Sequence, residues 1–230
     1  MNINAVAPTL AKLVTPDQKA RKAMPLEPDS LDLAKTERPS AKELLAKAFY
    51  TREEEPWKGR TVLYSEGSET ITRPMTKTEY LKSQKTMLAL DLEIQQCQFD
   101  RFRGKLIELR PDLAGKQFSY TLGDDAQVKI IDPDNIFSGE QLEWVTDSLN
   151  NFPDFTKTAQ ESAKRMMALV DHDHEIFGNR FSLNLMNFED TVDLGKLISI
   201  KDPERQQVAW IKQIEQNAER RVAPLVDVLA

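Results

Sequence analysis

Cysteine occurs once in the 230 residues, at Cys97, so an intrachain disulfide and a multi-cysteine metal cluster are both excluded. A lone thiol fits a reducing compartment. Histidine is nearly as scarce, with two residues, and glycine numbers only eight. No G-x-x-x-x-G-K-[ST], G-x-G-x-x-G or G-x-S-x-G pattern occurs, so the usual phosphate-cradling loops and the nucleophile elbow are missing. No apolar run approaches the ~18 residues of a spanning helix. The N-terminus also lacks a charged n-region followed by an apolar h-region, so neither a membrane span nor a cleavable signal peptide is expected. Lys and Arg never run longer than a pair, and 37 acidic against 31 basic residues give a formal charge of -6. A phosphate backbone would be repelled, and no nucleic-acid partner is expected.

The first 39 residues contain no aromatic residue, yet they hold five of the twelve prolines. Such a segment has little to bury, so residues 1–39 are expected to be a flexible, largely disordered arm, and residues 40–230 a single helix-rich domain. Within the arm, Thr9 to Val14 is a short amphipathic stretch suited to ordering on a partner. The opening has Ile3 near its start and no acidic residue before Asp17. In this it resembles the N-termini of proteins exported by bacterial type III systems, although the usual serine enrichment is absent.

Ser40 and Glu43 form an S-x-x-E capping box ahead of a short helix, Ala41 to Tyr50. Thr61 to Tyr64 reads as an edge strand. Met75 to Arg110 holds no proline and only Gly104, which predicts a long helix of roughly 50 Å. Its apolar stripe runs through Tyr80, Met87, Leu90, Ile94 and Cys97, then re-phases to Phe99, Phe102, Leu106 and Leu109. That stripe places Cys97 on the buried side, as an inert thiol, and makes Gly104 a bend or close-approach point. Phe118 to Ile130 alternates around Gly123-Asp124-Asp125-Ala126 as a hairpin. Asp132-Pro133-Asp134-Asn135 fails the calcium-loop pattern at its third ligand position and at its glycine, leaving a plain turn.

Ser138 and Gln141 cap a helix that ends at Pro153. A second helix from Asp154 carries Phe155, Ala159, Ala163, Met166, Val170 and Phe177 on one face, and the pair makes a helical hairpin. Phe181 to about Phe188 alternates as a strand, while Val192 to Ile200 fits either strand or irregular structure. Asp202-Pro203-Glu204 opens a final helix. The fold class is therefore α+β, predominantly helical, with a long central helix and a helical hairpin packed with a small antiparallel sheet.

Both histidines fall in Asp171-His172-Asp173-His174-Glu175. On a helix, residues two apart diverge, so His172 and His174 do not grip one ion. Asp171, His174 and Glu175 stand at i, i+3 and i+4 and share a face, which makes them the candidate metal ligands or acid/base group. The structural alternative is that His174 is a hydrogen-bonded histidine at the core edge, with Asp171 as its partner. With two histidines in all, remaining ligands would have to be carboxylates. No cofactor is expected, and a divalent metal is the one exception weighed.

The sequence reading is thus a non-enzymatic protein-interaction protein of bacterial type, an adaptor or regulator with a protein partner and a cytoplasmic location. One alternative is an exported secretion-system effector or component that uses the arm as its signal without a cleavable signal peptide. The other is a metal-dependent hydrolase centred on residues 171–175.

Overall fold

A computed structural model of the chain describes residues 39–66 and 69–221. The arm assigned to residues 1–39 lies outside that range except for its last residue, as does Thr9–Val14. Nine helices and six strands occur among the described residues, and none of those helices is long and apolar enough to cross a membrane. The α+β, mostly helical class holds.

Helix α1 (Ala41–Phe49) starts at the expected box, with Ser40 and Glu43 satisfying each other's backbone N–H groups. Strands β1 (Thr61–Glu66) and β2 (Glu69–Pro74) pair as an antiparallel ladder. Helix α2 (Lys77–Leu109) follows behind a second capping box, Thr76 with Glu79, and α3 (Pro111–Ala114) closes it. The hairpin is β3 (Ser119–Leu122) against β4 (Val128–Ile131). Both Asp132 carboxylate oxygens then accept the backbone N–H groups of Ile136 and Phe137 at 3.0 Å, which accounts for the turn without calcium. Helices α4 (Gly139–Asn150) and α5 (Phe155–His172) form the helical hairpin. The remainder is α6 (His174–Phe177), β5 (Phe181–Ser182), α7 (Leu185–Thr191), α8 (Leu194–Ile198), α9 (Pro203–Asn217) and β6 (Glu219–Arg220). The small antiparallel sheet is three separate two-stranded ladders, the third being β5 with β6.

Three expectations are corrected here. The strand expected over Phe181 to Phe188 is only two residues long, because Asn184 caps the next segment and starts α7. Its side chain accepts from Met186 N–H, and Asn187 returns the bond, a signal stronger than the apolar alternation. Val192 to Ile200 is neither strand nor irregular but contains α8, where Gly195 lets the helix lie directly on β3. A Cβ there would sit 2.8 Å from the Tyr120 backbone nitrogen. The helix expected to run from Asp154 to Phe177 breaks at Asp173, whose ψ of 76° leaves the helical region.

The fourth correction concerns α2. Its buried residues are Tyr80, Gln84, Leu88, Asp91, Leu92, Gln95, Phe102 and Leu106. Leu90 and Ile94 are instead exposed by 44% and 40%, and Cys97 is exposed. The apolar stripe read from the sequence faces outward over this stretch because the inward face carries Leu88 and Leu92 together with polar side chains that find partners on α5. Arg165 Nε donates to Asp91 Oδ2 at 2.6 Å and Arg165 Nη1 to Gln84 Oε1 at 3.4 Å. Gln95, fully buried, donates to Ser162 Oγ at 2.5 Å and accepts from the Tyr120 hydroxyl at 2.9 Å. Nothing lies within 4 Å of where a Cβ on Gly104 would sit, so close approach is not its role.

An aromatic cluster completes the core below this seam. Phe99 lies 5.4 Å from Tyr120 and 5.6 Å from Phe118, and Tyr120 meets Phe155 edge-on at 4.9 Å. Gln95→Ala would leave two buried hydroxyls unpaired beside a cavity and is expected to cost about 2–4 kcal/mol. Leu90→Ala, on the outward face, should stay within about 0.5 kcal/mol. Urea unfolding of the two variants checks this; equal losses would place Leu90 in the core.

Candidate functional site

The aspartate- and histidine-rich corner sits where α5 ends and α6 begins. Three carboxylates there oppose the negative pole that a continuous helix would present, and the break at Asp173 sends its charged groups in different directions. Asp171, His172 and Asp173 are all buried, with 2–3% exposure, while His174 and Glu175 are exposed.

Asp171 faces the two ends of the described domain. Its Oδ2 accepts the Tyr50 hydroxyl at 2.8 Å, its Oδ1 accepts Arg221 Nη2, and Arg52 Nε lies 3.9 Å from Oδ1. Burial, reinforced by that carboxylate, pushes the Tyr50 hydroxyl far above its ordinary range, which keeps it a donor. Arg221 also donates to Asn179 Oδ1 at 2.6 Å. Asp171 thus ties the segment after α1 and the residue after β6 to the C-terminal end of α5.

Asp173 turns the other way, to Lys85 Nζ on α2 at 2.7 Å. That ammonium compensates a carboxylate oxygen that is itself withdrawn from solvent. His172 lies between the two aspartates with its ring edge-on to Trp57 at 5.8 Å and to Tyr80 at 6.3 Å. Burial holds its pKa below the ordinary histidine value, against the opposing pull of Asp171. Lys77 and Arg60 cover the same two rings, Nζ 5.4 Å from Trp57 and the guanidinium carbon 5.3 Å from Tyr80.

The three candidate ligands are therefore not brought together. Asp171 is engaged by Tyr50 and Arg221, His174 Nε2 lies 3.2 Å from the Asp171 carbonyl oxygen rather than its carboxylate, and Glu175 stands exposed on α6. The helical i, i+3, i+4 argument fails because the helix is interrupted between the first residue and the other two. Among the described residues no group of three or more His, Cys, Asp or Glu side chains converges as a metal site.

Of the clefts that border the corner, two are the larger. One, about 390 Å³, lies between α2 and residues 172–175 and includes Lys77, Leu81, Lys82 and Lys85. The other, about 380 Å³, is bordered by Tyr50, Arg52, Asp171 and Arg221. Sequence reasoning missed these arginine, lysine and tyrosine partners because they come from distant segments. The spacing of Lys77, Lys82 and Lys85 along one predicted helix was the sole signal available for any of them. Comparison of the chain with protein-family models, curated proteins and solved structures returns no match.

Three variants test this corner. Arg221→Met leaves a buried carboxylate short of its main counter-charge and is expected to cost about 2–3 kcal/mol, reduced from the fully buried case because Arg221 is partly exposed. Tyr50→Phe should cost about 1 kcal/mol, both measured by chemical denaturation. For His172, the folded pKa lies below the unfolded one, so its contribution is intact above about pH 6.5 and is lost as pH falls from there toward the folded pKa. Compared at about pH 7.5 and 5.5, His172→Gln should therefore lose less stability on acidification than the parent chain, whose slope from this residue is at most about 1.4 kcal/mol per pH unit.

Proposed function

We propose that the chain is a non-enzymatic interaction protein, an adaptor or regulator, that engages a protein partner through the outward face of α2. The observation that carries this is the inverted stripe. Leu90, Ile94 and Cys97 stand at 3-4 spacing on the solvent side, with half-buried Met87 continuing the row. Such spacing is what an amphipathic helix presents to another helix, not what a solvated face requires.

Beside the row runs a groove of about 460 Å³ between α2 and the α8–α9 junction, where Ala89 and Leu90 face Ile200 and Pro203. Glu93 and Asp100, both exposed, flank the row on one side, while Lys201 lines the groove on the α8–α9 side and Arg101 stands exposed beyond Cys97. The complementary partner is a helix with an apolar ridge bordered by Lys or Arg, since like charges at this edge would be repelled. Apolar contact supplies the affinity and the acidic edge selects the partner's orientation.

Cys97 makes the test direct, because it is the one thiol in the chain and is exposed. A photo-crosslinker attached there should capture a discrete protein whose crosslinked residue lies on a basic-flanked amphipathic helix. Ile94→Glu should reduce capture by at least about tenfold, a loss of about 1.4 kcal/mol, with little change in Tm. Leu63→Glu, at an exposed β1 position, should capture as the parent does. Equal capture by Ile94→Glu, or crosslinks scattered over unrelated surfaces, would overturn the proposal.

A further inference from the structure

Tyr80 and His172 retain only 4% and 3% exposure, yet both border a small cleft of about 180 Å³ whose remaining lining comes from the Phe49–Arg60 segment. Burial and neighbouring charges, with no hydrogen bond, govern the pKa of each. The Tyr80 hydroxyl is held above its ordinary value and stays protonated, and the His172 ring is held below its own and stays neutral near pH 7. Neither polar end is sealed in the interior, so each opens to the surface without a partner among the described residues. His172 is shared with the lysine-lined cleft, whereas Tyr80 borders this one. A hydroxyl that is nearly buried, unpartnered and reachable from a cleft is placed to recognise a bound molecule.

Two opposite charges stand at the rim. Arg60 Nε donates to the Pro56 carbonyl oxygen at 2.8 Å, and its guanidinium carbon lies 5.3 Å from the centre of the Tyr80 ring. That anchor fixes the fork and leaves its terminal nitrogens uncommitted among the described residues. Glu53 lines the same cleft, and the two charges act on the Tyr80 hydroxyl in opposite senses, Arg60 lowering its pKa and Glu53 raising it. Both are exposed, and among the described residues neither is held in an ion pair of the kind that joins nearby Lys58 to Glu55.

We propose that this cleft binds a small α-amino acid as its zwitterion. The α-carboxylate lies against the Arg60 fork, the α-ammonium against Glu53, and the Tyr80 hydroxyl donates to the carboxylate. Phe49 and Pro56 supply apolar walls. A plain carboxylate satisfies Arg60 and is repelled by Glu53, and a plain amine does the reverse, so the site requires both groups in one molecule. Size sets the second limit. A cavity of about 150 Å³ holds a benzene ring, so a cleft of about 180 Å³ takes an amino acid the size of alanine or serine and leaves no room for a benzyl side chain as well. The cleft is lined by Tyr80 of α2 and by residues before β1, so this site is separate from the Leu90–Cys97 row and does not rest on the partner surface proposed above.

The two histidines are the only imidazoles in the chain, so the His172 ring signals are resolved against one other residue and report occupancy. The full chain is titrated by NMR with L-alanine, L-serine, L-lactate, ethanolamine and L-phenylalanine. L-alanine and L-serine should shift the His172 signals saturably, and the other three should each bind at least about tenfold more weakly. Arg60→Gln, at an exposed position, should weaken L-serine by at least about tenfold while leaving the ligand-free spectrum folded. Tyr80→Phe, which keeps the buried ring, should weaken it by about tenfold. Lys82→Glu, which alters the neighbouring cleft, should bind as the parent does. The proposal is overturned if neither amino acid shifts His172, or if L-lactate, ethanolamine or L-phenylalanine binds as tightly as L-alanine. It is equally overturned if Arg60→Gln or Tyr80→Phe binds unchanged, or if Lys82→Glu loses binding.

Discussion

Gln95 is fully buried on α2, and its side-chain amide is used from both sides, by the Ser162 hydroxyl of α5 and the Tyr120 hydroxyl of β3. One helical turn upstream, Asp91 accepts Arg165 of α5, which also reaches Gln84. Groups of this kind tolerate only one register. Sliding either helix by a turn, about 5.4 Å, would strand two hydroxyls, an amide and a charged pair in an apolar interior, at a cost of about 1–3 kcal/mol for each unpaired group. An apolar interface of the same area would offer several nearly equivalent packings.

That register decides what the rest of the molecule can present. With Gln84, Asp91 and Gln95 turned inward, Leu90, Ile94 and Cys97 have to face solvent, since residues three and four apart share a face and these occupy another. The first turns of α2 are carried at the same time to the C-terminal end of α5, so that Lys85 meets Asp173. The corner then ends α5 and receives the remaining chain segments: Tyr50 and Arg52 from behind α1, and Arg221 from beyond β6, all on Asp171. A cluster that resembles chemistry in the sequence serves, at Asp171, to close the domain.

Much of the fold was legible because its signals are local. The capping boxes at Ser40 and Ser138, the Asp202-Pro203 helix start and the β3–β4 hairpin lie within a few residues of the groups they control, and each was placed correctly. The long helix needed only the absence of proline over Met75–Arg110. Its inward face did not follow, because hydrophobic periodicity assumes that burial selects apolar residues. Here two apolar rows compete, Leu90–Ile94–Cys97 and Leu88–Leu92, and the second is buried together with polar side chains whose partners, Ser162 and Arg165, lie 67 and 74 residues away. The α7 start escapes for a related reason, since the alternation of Phe181, Leu183 and Leu185 is a strand pattern that hides the Asn184 cap lying within it. The site was legible only as a concentration of ionisable residues. Which side each one faced depended on the break at Asp173 and on Lys85, Tyr50 and Arg221, and no spacing rule connects those positions.

The break also separates the two tasks of the corner. Asp171 and Asp173 are two residues apart and border different clefts, with the His172 ring packed between Trp57 and Tyr80. Asp171 has donors from Tyr50 and Arg221 and has no vacant demand. Asp173 has its counter-charge in Lys85, 2.7 Å from Oδ2. Each buried carboxylate is therefore compensated by a cation from a distant segment, Arg221 at Asp171 and Lys85 at Asp173, and removing either cation would leave a charge in the interior without its counter-charge.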